Sequence, residues 1–300
     1  MSGPRGIDHV VLPVHDLDAG AESWERLGFT LTPAARHPWG TCNRLVQFDG
    51  AFLEILAVDR PALIPDPTPG RFSFGAFNRD FLARREGASM LVLESGDSDR
   101  DIAEYGALGL TTFERFDFER AATGPGGEVR TVAFSLAFAM PGPATSASPS
   151  EAGFFTCRQH FPENFWRPAY QRHANGAVGI AAVTLTARDP ADHHAFLSAF
   201  VGTRTLHMTG YGLEIATPRG AIEVLTPQGF HFRYGLEPPL GGSEALSIAA
   251  LRIAVRDLEA ARGHLHASAL APMEHAGTLV VPAAALHGVT VAFEPASGAG

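Results

Sequence analysis

The sequence predicts an α+β protein in which four strand–helix–three-strand units pair into two cup-shaped domains. One pattern recurs four times: an apolar, β-prone run, then Asp, then a helix-forming stretch. It spans Ile7 to Asp16, Ala88 to Asp97, Ile180 to Asp189 and Ile248 to Asp257. In the first copy three further strand-like runs follow the helix. With 300 residues, 45% of them hydrophobic, the chain can bury the core of two domains.

The first unit reads in order. Ile7 to Val14 is β-branched and apolar, hence a strand. Asp16 can cap the next helix, whose stripe is Leu17, Ala21, Trp24 and Leu27. Gly28 closes it as a C-cap. Phe29 to Leu31 begins a second strand, Asn43 to Phe48 is a third, and Ala51 to Val58, after the Asp49-Gly50 turn, is the fourth. In the second unit a helix runs from Asp97 to Leu108, with strands at Thr111 to Phe118, Val129 to Phe138 and Phe154 to Gln159. Pro141 to Ser150 interrupts them and reads as an extended, flexible loop. The third unit has its helix at Ala191 to Phe200 and strands at Leu213 to Ala216 and Gly220 to Leu225. The fourth has a helix from Asp257 to His266 and a last strand from Val289 to Phe293. The units therefore span 7–58, 87–160, 178–226 and 247–295. A lone unit leaves a sheet face uncovered, and pairing two lets the sheets curve around a concave ligand site. Asn175 to Gly179 separates the pairs, giving domains at 1–175 and 176–300.

Composition narrows the partners. The formal net charge is −9, with no Lys/Arg-rich run, which argues against nucleic acid or an anionic membrane surface. No apolar run approaches the ~18 residues of a membrane span. The opening Met1 to Gly6 lacks an apolar signal core. The expectation is a cytoplasmic protein acting on a small molecule. Four units can complete both cups within one chain, so monomer and homodimer both remain open. Cys42 and Cys157 read as buried small hydrophobes, with no clustering that implies zinc.

Asp8-His9-Val10-Val11, Gly40-Thr41-Cys42-Asn43-Arg44-Leu45 and Phe52-Leu53-Glu54-Ile55-Leu56, with the helix after Asp16 between the first two, resemble the vicinal oxygen chelate superfamily and its glyoxalase-like domain proteins. The resemblance is specific over 7–58, weaker over 87–175, and rests on pattern alone beyond 178. It implies paired βαβββ units around a metal cup, the glyoxalase/dioxygenase-like fold. Members include lyases, isomerases, ring-cleaving dioxygenases and metal-free sequestering proteins, so fold alone does not choose the reaction.

The resemblance implies that His9, from a first strand, and Glu54, from a fourth, bind a divalent ion: Zn, Ni, Mn or Fe. Read from the residues, His9 shares a face with Ile7 and Val11, and Glu54 with Phe52 and Leu56. A carboxylate among apolar neighbours needs a counter-charge or hydrogen bonds, which a metal and imidazole or a closed polar core would both supply. The other copies place Met90, Ala182 and Ala250 where His9 stands. Only the third retains a clear carboxylate, Glu223, while the second offers Cys157, Gln159 and His160. The C-terminal half is therefore expected to hold no metal site.

His160 leaves the last strand of the second unit and is expected as a third ligand or acid–base group; the alternative is a solvent-facing residue. Gln159 and Trp166 beside it, and His37 and Asn43 in the loop between the second and third strands, are expected to bind substrate. Gln171 to Gly176 reads either as a closing segment or, preferably, as a helix C-terminus. His193, His194, His264 and His266 fall on predicted helices and are expected at the surface. Two functions remain. One is a metal-dependent lyase or isomerase, with Glu54 moving a proton and a ring-cleaving dioxygenase as a sub-variant. The other is a metal-free small-molecule binding or sequestering protein of the same fold.

Overall fold

Asp16, Asp97, Asp189 and Asp257 each cap a helical segment in the computed structural model of this chain, every carboxylate accepting backbone N–H groups of the first turn. The structure describes residues 3–296 except 125, 241–244, 269 and 271. Met1 and Ser2 of the opening segment lie outside the described residues.

The first half runs β1 (Ile7–Pro13), α1 (Leu17–Arg26), β2 (Ala35–Arg36), β3 (Thr41–Gln47), β4 (Phe52–Val58), α2 (Phe74–Leu82), β5 (Met90–Glu94), α3 (Ser98–Ala107), β6 (Thr111–Thr112), β7 (Phe116–Thr123), β8 (Val129–Met140), β9 (Gly153–Gln159) and α4 (Pro162–Phe165). The second half runs β10 (Ala177–Thr186), α5 (His194–Val201), β11 (His207–Thr209), β12 (Gly212–Ala216), β13 (Ala221–Leu225), α6 (Pro227–Tyr234), β14 (Ser247–Val255), α7 (Leu258–Ala267), β15 (Met273–His275), β16 (Thr278–Val281) and β17 (Thr290–Pro295). The strands form two mixed sheets, β2-β3-β4-β1-β5-β9-β8-β6 with β7 on β8, and β11-β12-β13-β10-β14-β17-β16-β15. In each, the first strands of two units pair antiparallel and each pairs parallel with its own last strand. This is the α+β architecture of paired βαβββ units.

Alternation along the strands sorts side chains to two faces. Val10 and Leu12 of the first sheet and Val183 and Leu185 of the second join Trp24, Tyr105, Phe196, Phe200 and Leu265 of the helices in one core. The opposite faces carry separate clusters, an aromatic one around Phe52, Phe134 and Phe155 and a smaller one around Phe230 and Tyr234. The edges of the first sheet curl toward each other. Trp39, between β2 and β3, lies 5.1 Å from Phe116 and 4.8 Å from Phe118 of β7, centroid to centroid. Aromatic contact rather than strand pairing thus closes this face into a cup.

Four local expectations are corrected. Phe29 to Leu31 forms no strand; the second strand is β2. The Pro141–Ser150 loop is tied down: Thr145 accepts from the Phe196 amide at 3.1 Å, and Ser148 donates to Asp192 at 2.5 Å. Gln171 to Gly176 is a turn and not a helix end, with His173 buried between the Gln47 carbonyl and the Thr30 amide. His193 is buried against Ser146 and not at the surface, because it precedes α5 where the tied loop packs. The helices α2 and α6, which follow the last strand of the first and third units, had no sequence counterpart in the unit pattern.

Candidate functional site

His9 reaches the cup because β1 is irregular. Its pairing with β5 slips between Ile7 and His9, a bulge at Asp8. The bulge puts Ile7 on the helix-packed face with Val10, and His9 on the cup face with Val11. The expected sharing of a face by Ile7 and His9 fails for that reason. The same bulge brings the Asp8 carboxylate to its neighbour's ring, with Oδ1 2.5 Å from His9 Nδ1. The ring stacks on Phe52 at 4.2 Å and meets Phe155 edge-on. Its Nε2 is left facing Glu54 Oε2 at 3.9 Å.

Glu54 stands on β4 opposite Val11, on one face with Phe52 and Leu56. Its Oε1 accepts from Asn43 Nδ2 at 2.6 Å, and His37 Nε2 lies 3.9 Å from the same oxygen. Burial holds the carboxyl above its ordinary range; His9, the Asn43 hydrogen bond and Arg120 pull the other way. His37 bonds Thr41 Oγ1 through Nδ1 at 2.8 Å and stacks on Trp39 at 4.6 Å. Burial first, then Arg120, pushes its pKa down to about 3. At neutral pH His37 is an uncharged imidazole. Asn43 Oδ1 is buried without a hydrogen-bond partner. Gly40 permits this loop: its φ is +89°, and a Cβ there would stand 2.2 Å from the Arg60 carbonyl oxygen.

His9, His37, Asn43 and Glu54 therefore come together on one cavity, walled by Phe52, Phe74, Phe118, Phe134, Phe155 and Phe165. About 40 Å³ of it is open to the centre of a water-sized molecule. That is room for about three waters or a compact ligand. The remaining sequence candidates lie elsewhere. His160 falls on the other face of the sheet, bonded to Ser135 Oγ at 2.8 Å in a separate surface cleft. Thr156 and His160 are even-numbered along β9 and its end, whereas Phe155 and Cys157 face the cup. Strand alternation thus keeps His160 away from His9 and Glu54. Gln159 holds Asp8 Oδ2 at 3.2 Å behind His9 and does not line the cavity. Trp166 packs behind Phe52 at 6.0 Å, and its neighbour Phe165 supplies the wall instead.

Arg120 was missed from sequence. It lies on β7, where Phe116, Phe118, Arg120 and Ala122 alternate with exposed residues. That period of two was the available signal. Arg120 lines the cup, donates from Nη1 to the Ala121 carbonyl at 3.2 Å, and leaves a buried Nε with no partner. Burial lowers its pKa, and Glu54 opposes the shift.

A divalent ion is the group the fold family implies. The two imidazoles are oriented as ligands often are, each with Nδ1 held by another group. The full set does not fit: among the described residues no three His, Cys, Asp or Glu are spaced to hold a metal ion. The Arg120 cation, moreover, acts on the same carboxylate.

The second sheet shows what a plugged version looks like. By strand register Ala182, Ala250 and Ala292 occupy the positions of His9, Met90 and Phe155. Helix α6 fills the space with Phe230 and Tyr234. Glu223, in the position of Glu54, is bound by Arg233 and Arg252 at 2.7 Å each and by Thr184.

A family model described as a glyoxalase-like domain matches residues 7–201. No curated protein matches the chain. Among solved structures, a hypothetical protein from Staphylococcus aureus superposes with a TM-score of 0.66 at 10% identity, over 97% of this chain and 99% of that one. A 4-hydroxymandelate synthase mutant from Streptomyces coelicolor gives a TM-score of 0.54 at 14% identity, over 92% of this chain and 78% of that one. At these identities the likeness is one of fold.

Proposed function

We propose that this chain, which belongs to the glyoxalase-like domain family, binds a small oxygenated molecule in its N-terminal cup and moves a proton on it, as a lyase or isomerase. The observation that carries this is Glu54: buried, held above the ordinary carboxylate range, and facing the cavity with Asn43 as its one hydrogen-bond partner among the described residues. A carboxyl raised by burial is a stronger proton acceptor than an ordinary one, which suits it to general acid–base catalysis. Asn43 fixes its orientation. Asp8 fixes His9, and Gln159 fixes Asp8, so that His9 Nε2 points at the carboxyl. His37, uncharged, lies on its other side. The aromatic walls keep the substrate's reacting carbon away from bulk water. No step through a metal ion is included, because the donors do not close on one point.

The test is proton exchange in D2O followed by NMR. With hydroxyacetone and pyruvate as probes, the protein should accelerate loss of the C–H signal adjacent to the carbonyl, and Glu54→Gln should lower that rate by roughly 10²–10⁴. His160→Ala should leave it unchanged. Exchange by Glu54→Gln at the parent rate would sink the assignment. The metal-free binding reading is favoured by the aromatic walls; it gains if a probe binds and no exchange is seen.

A further inference from the structure

We infer that Arg120 is an anion anchor, and that the substrate carries a carboxylate which enters from an outer groove. This deepens the preceding proposal by naming the substrate class of the same cup, and rests on the cup being a binding site. Two observations carry it. The first is the unspent donor capacity of a guanidinium. It has five N–H groups, and none can be shed as a proton at ordinary pH. In Arg120, Nη1 holds one carbonyl, Nε is sealed from solvent without a partner, and no ion pair joins the guanidinium to Glu54 among the described residues, although the two charges act on one another. A half-buried cation with a sealed, unpaired N–H is costly, and an incoming carboxylate relieves the cost with paired, charge-assisted hydrogen bonds.

The second observation is positional. Arg120, Leu45 and Phe165 form the partition between the cup and an outer groove with about 330 Å³ open to the centre of a water-sized molecule. Arg36 and Arg167 also line that groove. Each has an acidic partner, Asp59 at 2.7 Å and Glu128 at 4.0 Å. Arg120 is the arginine of this group that also lines the inner cavity, and it forms no ion pair among the described residues. A carboxylate held there sets the rest of a compact molecule against the aromatic walls, with its adjoining carbons toward Glu54. The charge also bears on specificity. A neutral isostere forfeits the ion–ion contact and leaves the guanidinium unpaired, so the site selects the acid over its amide.

Pyruvate and pyruvamide, alike in shape and different in charge, test this on the wild-type protein without any mutation. Binding is read by thermal shift and tryptophan fluorescence in the intact chain. Pyruvate should bind and pyruvamide should bind about tenfold to a hundredfold more weakly. Arg120→Gln should weaken pyruvate by a similar factor, with Arg120→Lys intermediate because a point charge replaces a planar fork. Equal affinity for acid and amide, an unchanged pyruvate affinity in Arg120→Gln, or no binding of pyruvate at millimolar concentration would each overturn the anchor. Charge-selective, Arg120-dependent binding without C–H exchange would uphold the anchor and reject the proton-transfer reading, so the two failures are distinct.

Discussion

Replacing His37 by Asn should flatten the acid side of the stability profile. In the folded chain this imidazole is 4% exposed, stacked on Trp39, and its pKa is pushed down to about 3 by burial and then by Arg120. In the unfolded chain it titrates near 6.5. Glu54, at 3.9 Å, does not offset the shift, which burial and Arg120 set. The sign follows. The unfolded chain binds the proton first, so the stability due to neutral His37 is complete above 6.5 and is lost as pH falls toward about 3. Each pH unit in that window is worth about 1.4 kcal/mol, and the whole window about 5 kcal/mol. Asn can keep the hydrogen bond to Thr41 and cannot titrate. Urea unfolding at pH 7, 6 and 5 is the assay. Wild type should start ahead of His37→Asn and lose about 1.4 kcal/mol of that lead between pH 6 and 5. A gap that stays constant from pH 7 to 5 would refute the claim that His37 is neutral and sealed in the folded protein.

Two further outcomes are expected. Arg252→Ala should destabilise the chain by about 3 kcal/mol, since it strips one of two guanidinium partners from Glu223, which is 1% exposed; urea unfolding reads it, and a loss under about 0.5 kcal/mol would contradict the network. Protein loaded with Zn, Ni, Mn or Fe(II) and then desalted should retain less than one ion per chain by elemental analysis; stoichiometric metal lost in His9→Ala would show that His9, His37 and Glu54 close on an ion.

Much of the framework was legible because it depends on local rules. The four capping Asp residues each lock a first turn, and the apolar runs before them alternate faces, so the helices and central strands follow from spacing. Glu54 was placed with Phe52 and Leu56 for the same reason. His9 reached the right face by a route alternation could not reveal: the bulge at Asp8 reverses parity at a single residue. Asp8 itself was therefore invisible as the partner of His9. His160 illustrates the converse. Chemistry suggested a ligand, and one step of parity beyond Gln159 puts it on the wrong face. Arg120 had a period-two signal in Phe116, Phe118 and Arg120. Knowing what that strand faces, however, required the curl that carries the last strands of the sheet over to Trp39, a contact between residues far apart in sequence.

Loss of candidate ligands does not by itself explain why the proposed site lies in one half. Glu223 occupies the position of Glu54 by register and is as deeply buried. What differs is volume and charge around it. Alanines at 182, 250 and 292 vacate the space that His9, Met90 and Phe155 fill in the first sheet, and Phe230 and Tyr234 of α6 take it up. Two arginines then pair with the carboxylate directly, at 2.7 Å, whereas no arginine forms an ion pair with Glu54 among the described residues. A carboxylate held by two arginines in a filled cup has no room for a ligand. Glu54 has one direct hydrogen-bond partner, Asn43, beside a small cavity. Conversion of the second cup into a site would thus need removal of α6's aromatic plug and of both arginines, and not merely the return of a histidine at position 182.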